Sequence, residues 1–281
     1  MRVLVLGANG FVGKHLVAAL TARGDEVRSA SLREPERAAA MADGCDVVVN
    51  LSGAPVAQKW TAEHKRAILE SRTEAPRRFL IALGGIEHRP KAYVSASAVG
   101  YYGASQTETF TEESRPGTDF LADVCVRWEA EAKRAADLDM RVSIVRTGIA
   151  LGSDGGALAK MLPPFRFGLG GIIGDGKQWM SWIHIDDLIG TYLLAIDDAQ
   201  GTLNATAPNP VTNAEFTKTL GSVLHRPTVL PTPMFALRAM LGEGTEAVTQ
   251  GQRAVPTRTQ ALGYTFKFID LKGALRQVLD N

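Results

Sequence analysis

The chain has 281 residues, 45% of them hydrophobic and 22% charged, with a formal net charge of +1. That length supports a full core in one large domain or one and a half. The even charge excludes binding to nucleic acid or an anionic membrane surface through a strong field. Cys45 and Cys125 form no disulfide framework and lack the CxxC or Cys/His spacing of a zinc site, so no metal is expected.

The opening MRVLVLGANG holds an apolar run of about five residues, shorter than the roughly 7–15 of a secretory signal. No stretch approaches the roughly 18–20 apolar residues of a membrane span, so the expected location is the cytoplasm. Val3 to Leu6 reads as a strand buried on both faces, and glycines follow at once. His15 to Gly24 has helical spacing and stops at a glycine. Val27 to Leu32 reads as a second strand, Arg33 to Ala42 as a short helix, and Cys45 to Leu51 as a buried strand. Helices are expected at Thr61 to Glu70 and Glu74 to Leu83, and a strand at Ala92 to Ser95. A long helix from Phe120 to Asp137 and a strand from Val142 to Arg146 follow. This alternation predicts a Rossmann-type, doubly wound parallel α/β sheet. About 14 residues separate the second strand from CDVVVNL, too few for a helix–strand–helix passage, so a strand should be missing or vestigial there.

Beyond Gly148 the texture changes. Ser153 to Lys177 is rich in glycine and proline and reads as a helix turn embedded in functional loops. His184 to Ala195 returns to helix, Leu203 to Thr206 reads as a strand, and Asn213 to Leu224 as a helix. The section from Met234 to Asn281 should hold helices near both ends and a short strand at Tyr264 to Phe268.

Gly7-Ala8-Asn9-Gly10-Phe11-Val12-Gly13 is GxxGxxG between a strand and a helix. Gly7 permits the tight turn, Gly10 lets backbone approach a pyrophosphate, and Gly13 lets helix pack on strand, with helix N–H groups facing the anion. An NAD site places an acid at the end of the second strand, whereas an NADP site avoids it and offers arginine. Here the strand ends Ala30-Ser31-Leu32-Arg33, and Ser31 and Arg33 could both meet a 2′-phosphate. NADP is therefore the expected cofactor, with NAD the alternative.

GANGFVG, VVVNLSG (Val47 to Gly53), the SAS segment, Arg146-Thr147-Gly148 and WIHIDD (Trp182 to Asp187) resemble the extended short-chain dehydrogenase/reductases. The match is closer still to an atypical subgroup called epimerase family proteins. It rests on SASAVGYYG, FLADVCVRWEAEA, GGALAKMLPPFRFGLGG, QWMSWIHIDDL and NATAPNPVTNAEF, with a C-terminal module of unknown role from about Pro231. The resemblance implies a nicotinamide dinucleotide, NADP in characterised relatives, and a small C-terminal α+β substrate lobe. It divides the chain into a Rossmann domain over 1–150, joined by 178–206, and a lobe over 151–177 and 207–281. The cofactor-binding residues it implies are Gly7, Asn9, Gly10, Phe11, Val12, Gly13, Ser31, Arg33, Leu51, Ser52, Gly53, Arg146 and Thr147. A homodimer is common in the superfamily.

Typical members use a serine to bind the substrate oxygen and a tyrosine to transfer its proton. A lysine four residues later lowers the pKa of that tyrosine, which is otherwise near 10 and a poor base at pH 7. Ser97 stands at the serine position. Counting back from Glu129, the lysine position falls on Cys125 and the tyrosine position on Leu121, and no tyrosine lies between Tyr102 and Tyr192. The Tyr-x-x-x-Lys pair is absent. A proton would then have to come from Tyr101, Tyr102, His184 or water; Cys125, on an apolar helix face, is no acid. Gln178, Trp179 and Trp182 offer an amide and two flat surfaces for a polar or sugar-like ligand, or the tryptophans fill a seam.

The expectation is an NADP-dependent oxidoreductase or epimerase-type enzyme acting on a small polar carbonyl or alcohol, with no nucleic-acid or membrane partner. The alternative is an NADP-binding protein of little turnover that regulates a protein partner.

Overall fold

The computed structural model describes residues 1–280; Asn281, the expected end of the C-terminal section, lies outside the described residues. The first half runs β1 (Arg2–Leu6), α1 (Phe11–Ala22), β2 (Glu26–Ala30), α2 (Pro35–Met41), β3 (Val47–Asn50), α3 (Ala62–Glu70), α4 (Glu74–Leu83) and β4 (Ala92–Ala98). Then come β5 (Thr109–Phe110), α5 (Phe120–Lys133) and β6 (Arg141–Thr147). The second half runs β7 (Ile149–Leu151), α6 (Gly156–Arg166), β8 (Trp179–Met180), β9 (Trp182–His184), α7 (Ile185–Asp197), β10 (Gly201–Ala205), β11 (Val211–Thr212) and α8 (Asn213–Leu224). It closes with α9 (Met234–Leu241), α10 (Glu246–Thr249), β12 (Arg253–Ala254), α11 (Thr257–Ala261) and α12 (Leu271–Asp280).

Six strands form one parallel sheet in the order β10-β6-β4-β3-β1-β2. Because successive side chains of a strand point to opposite faces, β1 feeds two cores. Val3 and Val5 pack with Leu16, Leu20 and the apolar face of α7, whereas Leu4 and Leu6 pack with Ala38, Ala39, Phe79 and Leu80. Such two-sided burial is why the parallel strands read as unbroken apolar runs. The seven residues of α2 are the only regular structure between β2 and β3, and β2 is the sheet edge. The strand that a full mononucleotide unit would add beyond β2 is therefore missing, as the short spacing requires. The chain leaves β1 toward β2 on one side and β3 on the other, so the crevice of the fold opens at the C-terminal ends of β1 and β3.

A third core belongs to the lobe. Leu158, Leu162 and Phe165 of α6 meet Trp182 of β9, Phe216 and Leu220 of α8, and Leu271, Leu275 and Val278 of α12. The expectation of only a helix turn between Ser153 and Lys177 is corrected here. The 11-residue α6 carries Pro163 and Pro164 in its last turns. Its buried stripe at intervals of three and four residues outweighs the two lost N–H donors. The strand expected at Tyr264 to Phe268 is also absent. Backbone N–H groups of Lys267 and Phe268 donate to the Asp187 carboxylate at 2.8 and 2.9 Å, and Tyr264 donates its hydroxyl to the same group at 3.1 Å. A buried side chain takes the donors that a strand would give to a neighbour. The pairing in this section instead joins β12 to β5. No helix among the described residues is long and apolar enough to cross a membrane.

Candidate functional site

The crevice is a cleft of about 1000 Å³, walled by the glycine loop, the end of β2 and the segment after β3. Gly7 has φ +84°, open to glycine at no steric cost, and a Cβ there would stand 3.1 Å from the backbone of Leu51 and Ser52. A Cβ on Gly13 would stand 2.3 Å from the Gly7 carbonyl oxygen, so the third glycine lets α1 close on the loop. Gly10 is the N-cap of α1 and brings no capping side chain, and the first turn holds no acid. The aligned N–H groups there are left for an external anion. These are the features a dinucleotide pyrophosphate requires, and the residues fit that group.

At the other end, Ser31 and Arg33 line the cleft, and the Arg33 N–H donates to Ser31 Oγ at 3.2 Å. Arg33 is exposed and forms no ion pair among the described residues. Arg78 of α4 reaches the same end and pairs with Glu36 at 2.7 Å. No acid stands at the tip of β2. Across the cleft, Ser52 N–H donates to Asn50 Oδ1 at 3.0 Å, which fixes Leu51, Ser52 and Gly53 as the opposite wall.

Of the expected cofactor residues, Gly7, Asn9, Gly10, Ser31, Arg33, Leu51, Ser52 and Gly53 meet in this cleft. Gly13 acts through spacing. Phe11 and Val12 pack partly into the core, and the Phe11 ring fills the space that Gly152, Gly155 and Gly156 leave by having no Cβ. Thr147 hydrogen-bonds the buried Tyr192 hydroxyl. Arg146 requires a correction. It is buried against Glu129, with paired hydrogen bonds of 2.7 and 2.8 Å, and is not placed to touch a cofactor.

That ion pair organises the serine end. Ser97 is 3% exposed and donates its hydroxyl to Glu129 Oε1 at 2.7 Å. Arg146 also donates to the Tyr102 hydroxyl at 3.1 Å, and Tyr102 donates to Asn204 Oδ1 at 2.6 Å. The Tyr101 ring lies over the guanidinium, 3.4 Å from its Cζ. Ser97, Tyr101 and Tyr102 are thus neighbours around Arg146 rather than around open space. Burial pushes the Tyr102 phenol up to about 12, with Arg146 pulling the other way. Tyr102 is corrected from proton relay to structural hydrogen-bond donor, and the Ser97 proton is already committed to a carboxylate.

At the tyrosine and lysine positions, Leu121 and Cys125 pack against Gly100; a Cβ there would sit 3.5 Å from Leu121 Cβ and 4.0 Å from Cys125 Sγ. Burial, and then Glu129, push the Cys125 thiol up to about 12, so neither of these two positions supplies a proton donor or a cation. Beside Leu121 lies a cavity of about 70 Å³, bounded by Trp60, Gly100 and Phe120 and, from the C-terminal section, by Glu246 and Gln250.

His184 is 1% exposed and caps α7: its Nδ1 accepts from the Asp186 N–H at 3.1 Å. Nε2 meets Gln277 Oε1 at 2.6 Å, and the ring stacks on Phe268 with centroids 3.8 Å apart. One nitrogen accepts and the other donates, the pattern of a neutral imidazole, and burial lowers its pKa. His184 is corrected to a structural cap. Two of the three substrate candidates change role likewise. Gln178 gives its amide to the Ile173 and Val248 carbonyls, and Trp182 is fully buried in the lobe core with its indole N–H on Asn209. Of the three, Trp179 alone keeps accessible surface; its indole donates to Gln106 O at 2.9 Å and Arg253 lies 4.6 Å above its ring.

Sequence reasoning missed Arg78 and the partner of Ser97. Arg78 sits 45 residues from Arg33 and reaches the cleft only because α4 packs on α2. Glu129 could have been found from its register: it lies one helical turn beyond Cys125, on the face turned to β4.

A family model described as the NAD dependent epimerase/dehydratase family matches residues 3–206, and a domain of unknown function, DUF1731, matches 232–278. The chain is 42% identical to the chloroplastic epimerase family protein SDR39U1 homolog of Arabidopsis thaliana, over 99% of this chain and 87% of that one. It is 37% identical to the epimerase family protein YfhF of Bacillus subtilis, over 99% and 98%. The structure of the human epimerase family protein SDR39U1 with NADPH superposes with a TM-score of 0.93 and 37% identity, covering 100% of both chains.

Proposed function

The chain belongs to the NAD dependent epimerase/dehydratase family, and from that premise we propose that it is an NADP-dependent oxidoreductase or epimerase-type enzyme for a small polar carbonyl or alcohol. The observation that carries this reading is the cleft itself: a glycine cradle at one end, and at the other Ser31 with an Arg33 that forms no ion pair among the described residues and no acid at the tip of β2. The human relative crystallised with NADPH supports the same cofactor. When bound, the nicotinamide supplies or accepts hydride. The glycine loop and α1 hold the pyrophosphate, Ser31 and Arg33 hold the 2′-phosphate, and Leu51 to Gly53 wall the cleft. The small cavity beside Leu121 is the substrate end, and Trp179, whose strand β8 pairs with β11, is the accessible aromatic beside the lobe. With Ser97 bound to Glu129 and Tyr102 and His184 buried, the proton comes from water or from the half-buried Tyr101.

A second reading, an NADP-binding protein of little turnover that acts on a protein partner, is favoured by one observation. The hydroxyl expected to polarise a substrate already gives its proton to Glu129. The two readings separate when the protein is mixed with NADPH and a panel of small aldehydes, ketones and keto sugars while the absorbance of reduced nicotinamide is followed. Turnover on a member of the panel supports the enzyme. Tight NADPH binding without turnover on every class supports the regulator. A homodimer accompanies either reading and is measured by light scattering.

A further inference from the structure

Arg72 lies between α3 and α4 and is 9% exposed. Its Nη1 donates to the carbonyls of Ala54 and Ile68, both at 3.1 Å. The guanidinium is stacked on Trp128 of α5, 4.8 Å from the ring centroid. It also lies on Gly53, where a Cβ would come within 2.8 Å of Cζ and Nη2. Gly53 and Ala54 are part of the cleft wall. The arginine therefore sits directly behind the segment that a dinucleotide would lie along.

Two features are unusual for a buried arginine. Arg146 has Glu129, but Arg72 has no carboxylate within ion-pair distance among the described residues, and the acid that interacts with it is the Cys125 thiol, itself held neutral. A buried cation without an anion costs several kcal/mol, and burial lowers the Arg72 pKa accordingly. Secondly, Nε and Nη2 make no hydrogen bond among the described residues. Neither is sealed off, since the only fully buried unpartnered side-chain nitrogen there is the indole N–H of Trp128. Free donors on a fixed, uncompensated charge directly behind a cleft wall are the features of a group awaiting an anionic or hydroxyl-bearing ligand.

The place matters as much as the charge. Trp128 is three residues beyond Cys125 on the same helix face, so the stack brings Arg72 to the neighbourhood of the empty lysine position. We infer that Arg72 is the cation of the nicotinamide half of the cleft, binding the ribose and phosphate oxygens of that half in place of the missing lysine. This rests on the NADP reading above. An arginine does not release its proton at working pH, so the role is positioning and charge, not acid–base chemistry.

The test is calorimetric titration of the full chain, wild type, Arg72→Met and Arg72→Lys, with NADPH and with 2′,5′-ADP, which lacks the nicotinamide half. Arg72→Met should weaken NADPH by about tenfold or more, the scale of one charge-assisted hydrogen bond, and change 2′,5′-ADP by less than about twofold. Arg72→Lys should recover part of the NADPH affinity. Equal losses on both ligands would mean that Arg72 only props the Gly53–Ala54 wall, and no loss on either would also overturn the assignment. If Arg72→Met fails to fold, the lysine variant decides: a selective NADPH loss supports the role, and losses equal on both ligands, or none, refute it. Wild type that binds 2′,5′-ADP but shows no selective effect of these variants sinks this inference alone. Wild type that binds neither ligand sinks the cofactor reading with it.

Discussion

Glu129→Gln removes the charge that holds Arg146 while keeping nearly the same shape. Both side chains of the pair are almost sealed from water, Arg146 at 4% and Glu129 at 2% exposure. Breaking one side of such a pair leaves a buried charge without compensation and costs about 3–5 kcal/mol. Solvent screening, which reduces surface pairs to a fraction of this, does not operate here. For a chain of this size, each kcal/mol moves the melting temperature by roughly 2 °C, so a fall of about 6–10 °C is expected by differential scanning fluorimetry at pH 7. The double variant Glu129→Leu/Arg146→Met leaves no lone charge and should recover much of the loss. Ser97→Ala should cost only about 1 kcal/mol, since it removes one hydrogen bond and no charge. A Glu129→Gln shift below about 2 °C would refute the picture of a buried pair that binds the Ser97 proton.

Three further outcomes follow from the same structure. The His184 pKa is lowered in the fold from its usual 6.5, so as pH falls below that value the unfolded chain takes up a proton first. The stability contributed by neutral His184 is present above about 6.5 and is lost as pH falls through the folded value. Melting points measured between pH 7 and 5.5 should fall less steeply for His184→Asn, which keeps an α7 cap but cannot titrate; equal slopes would remove the argument. Gly13→Ala places a methyl 2.3 Å from the Gly7 carbonyl and should destabilise by about 1–3 kcal/mol with loss of NADPH binding; an unchanged titration curve would contradict the close-packing role. Trp182→Ala empties a fully buried site and should cost about 3–5 kcal/mol, whereas Trp179→Ala should move the melting point little, and a reversed order would contradict the core placement of Trp182.

The sheet was legible because both-face burial writes itself as VLVL and VVV, and β1, β3 and the glycine loop follow from short-range signals alone. The missing strand beyond β2 was readable from a spacing. In the lobe, local signals misled: two prolines hid α6, and the period of Tyr264 to Phe268 concealed a segment bonded to Asp187. Residue chemistry at the catalytic end was only half readable. The absence of Tyr and Lys at Leu121 and Cys125 could be counted, but not that Ser97 is claimed by Glu129 from the next helix turn. His184, Trp182 and Gln178 have reactive or ligand-like side chains, and only three-dimensional packing reveals that each is satisfied internally. Arg72 and Arg78 carried no local signal; their significance depends on Gly53, Trp128 and Arg33, which the fold brings to them.

The most direct test of 2′-phosphate selection is paired titration of wild type and Arg33→Ala with NADPH and NADH under one salt condition. Arg33 at the end of β2 should make wild type bind NADPH at least about tenfold tighter, and the alanine variant should lose most of that preference while leaving NADH affinity unchanged. Equal affinities for the two dinucleotides in wild type, or a preference that survives Arg33→Ala intact, would contradict it.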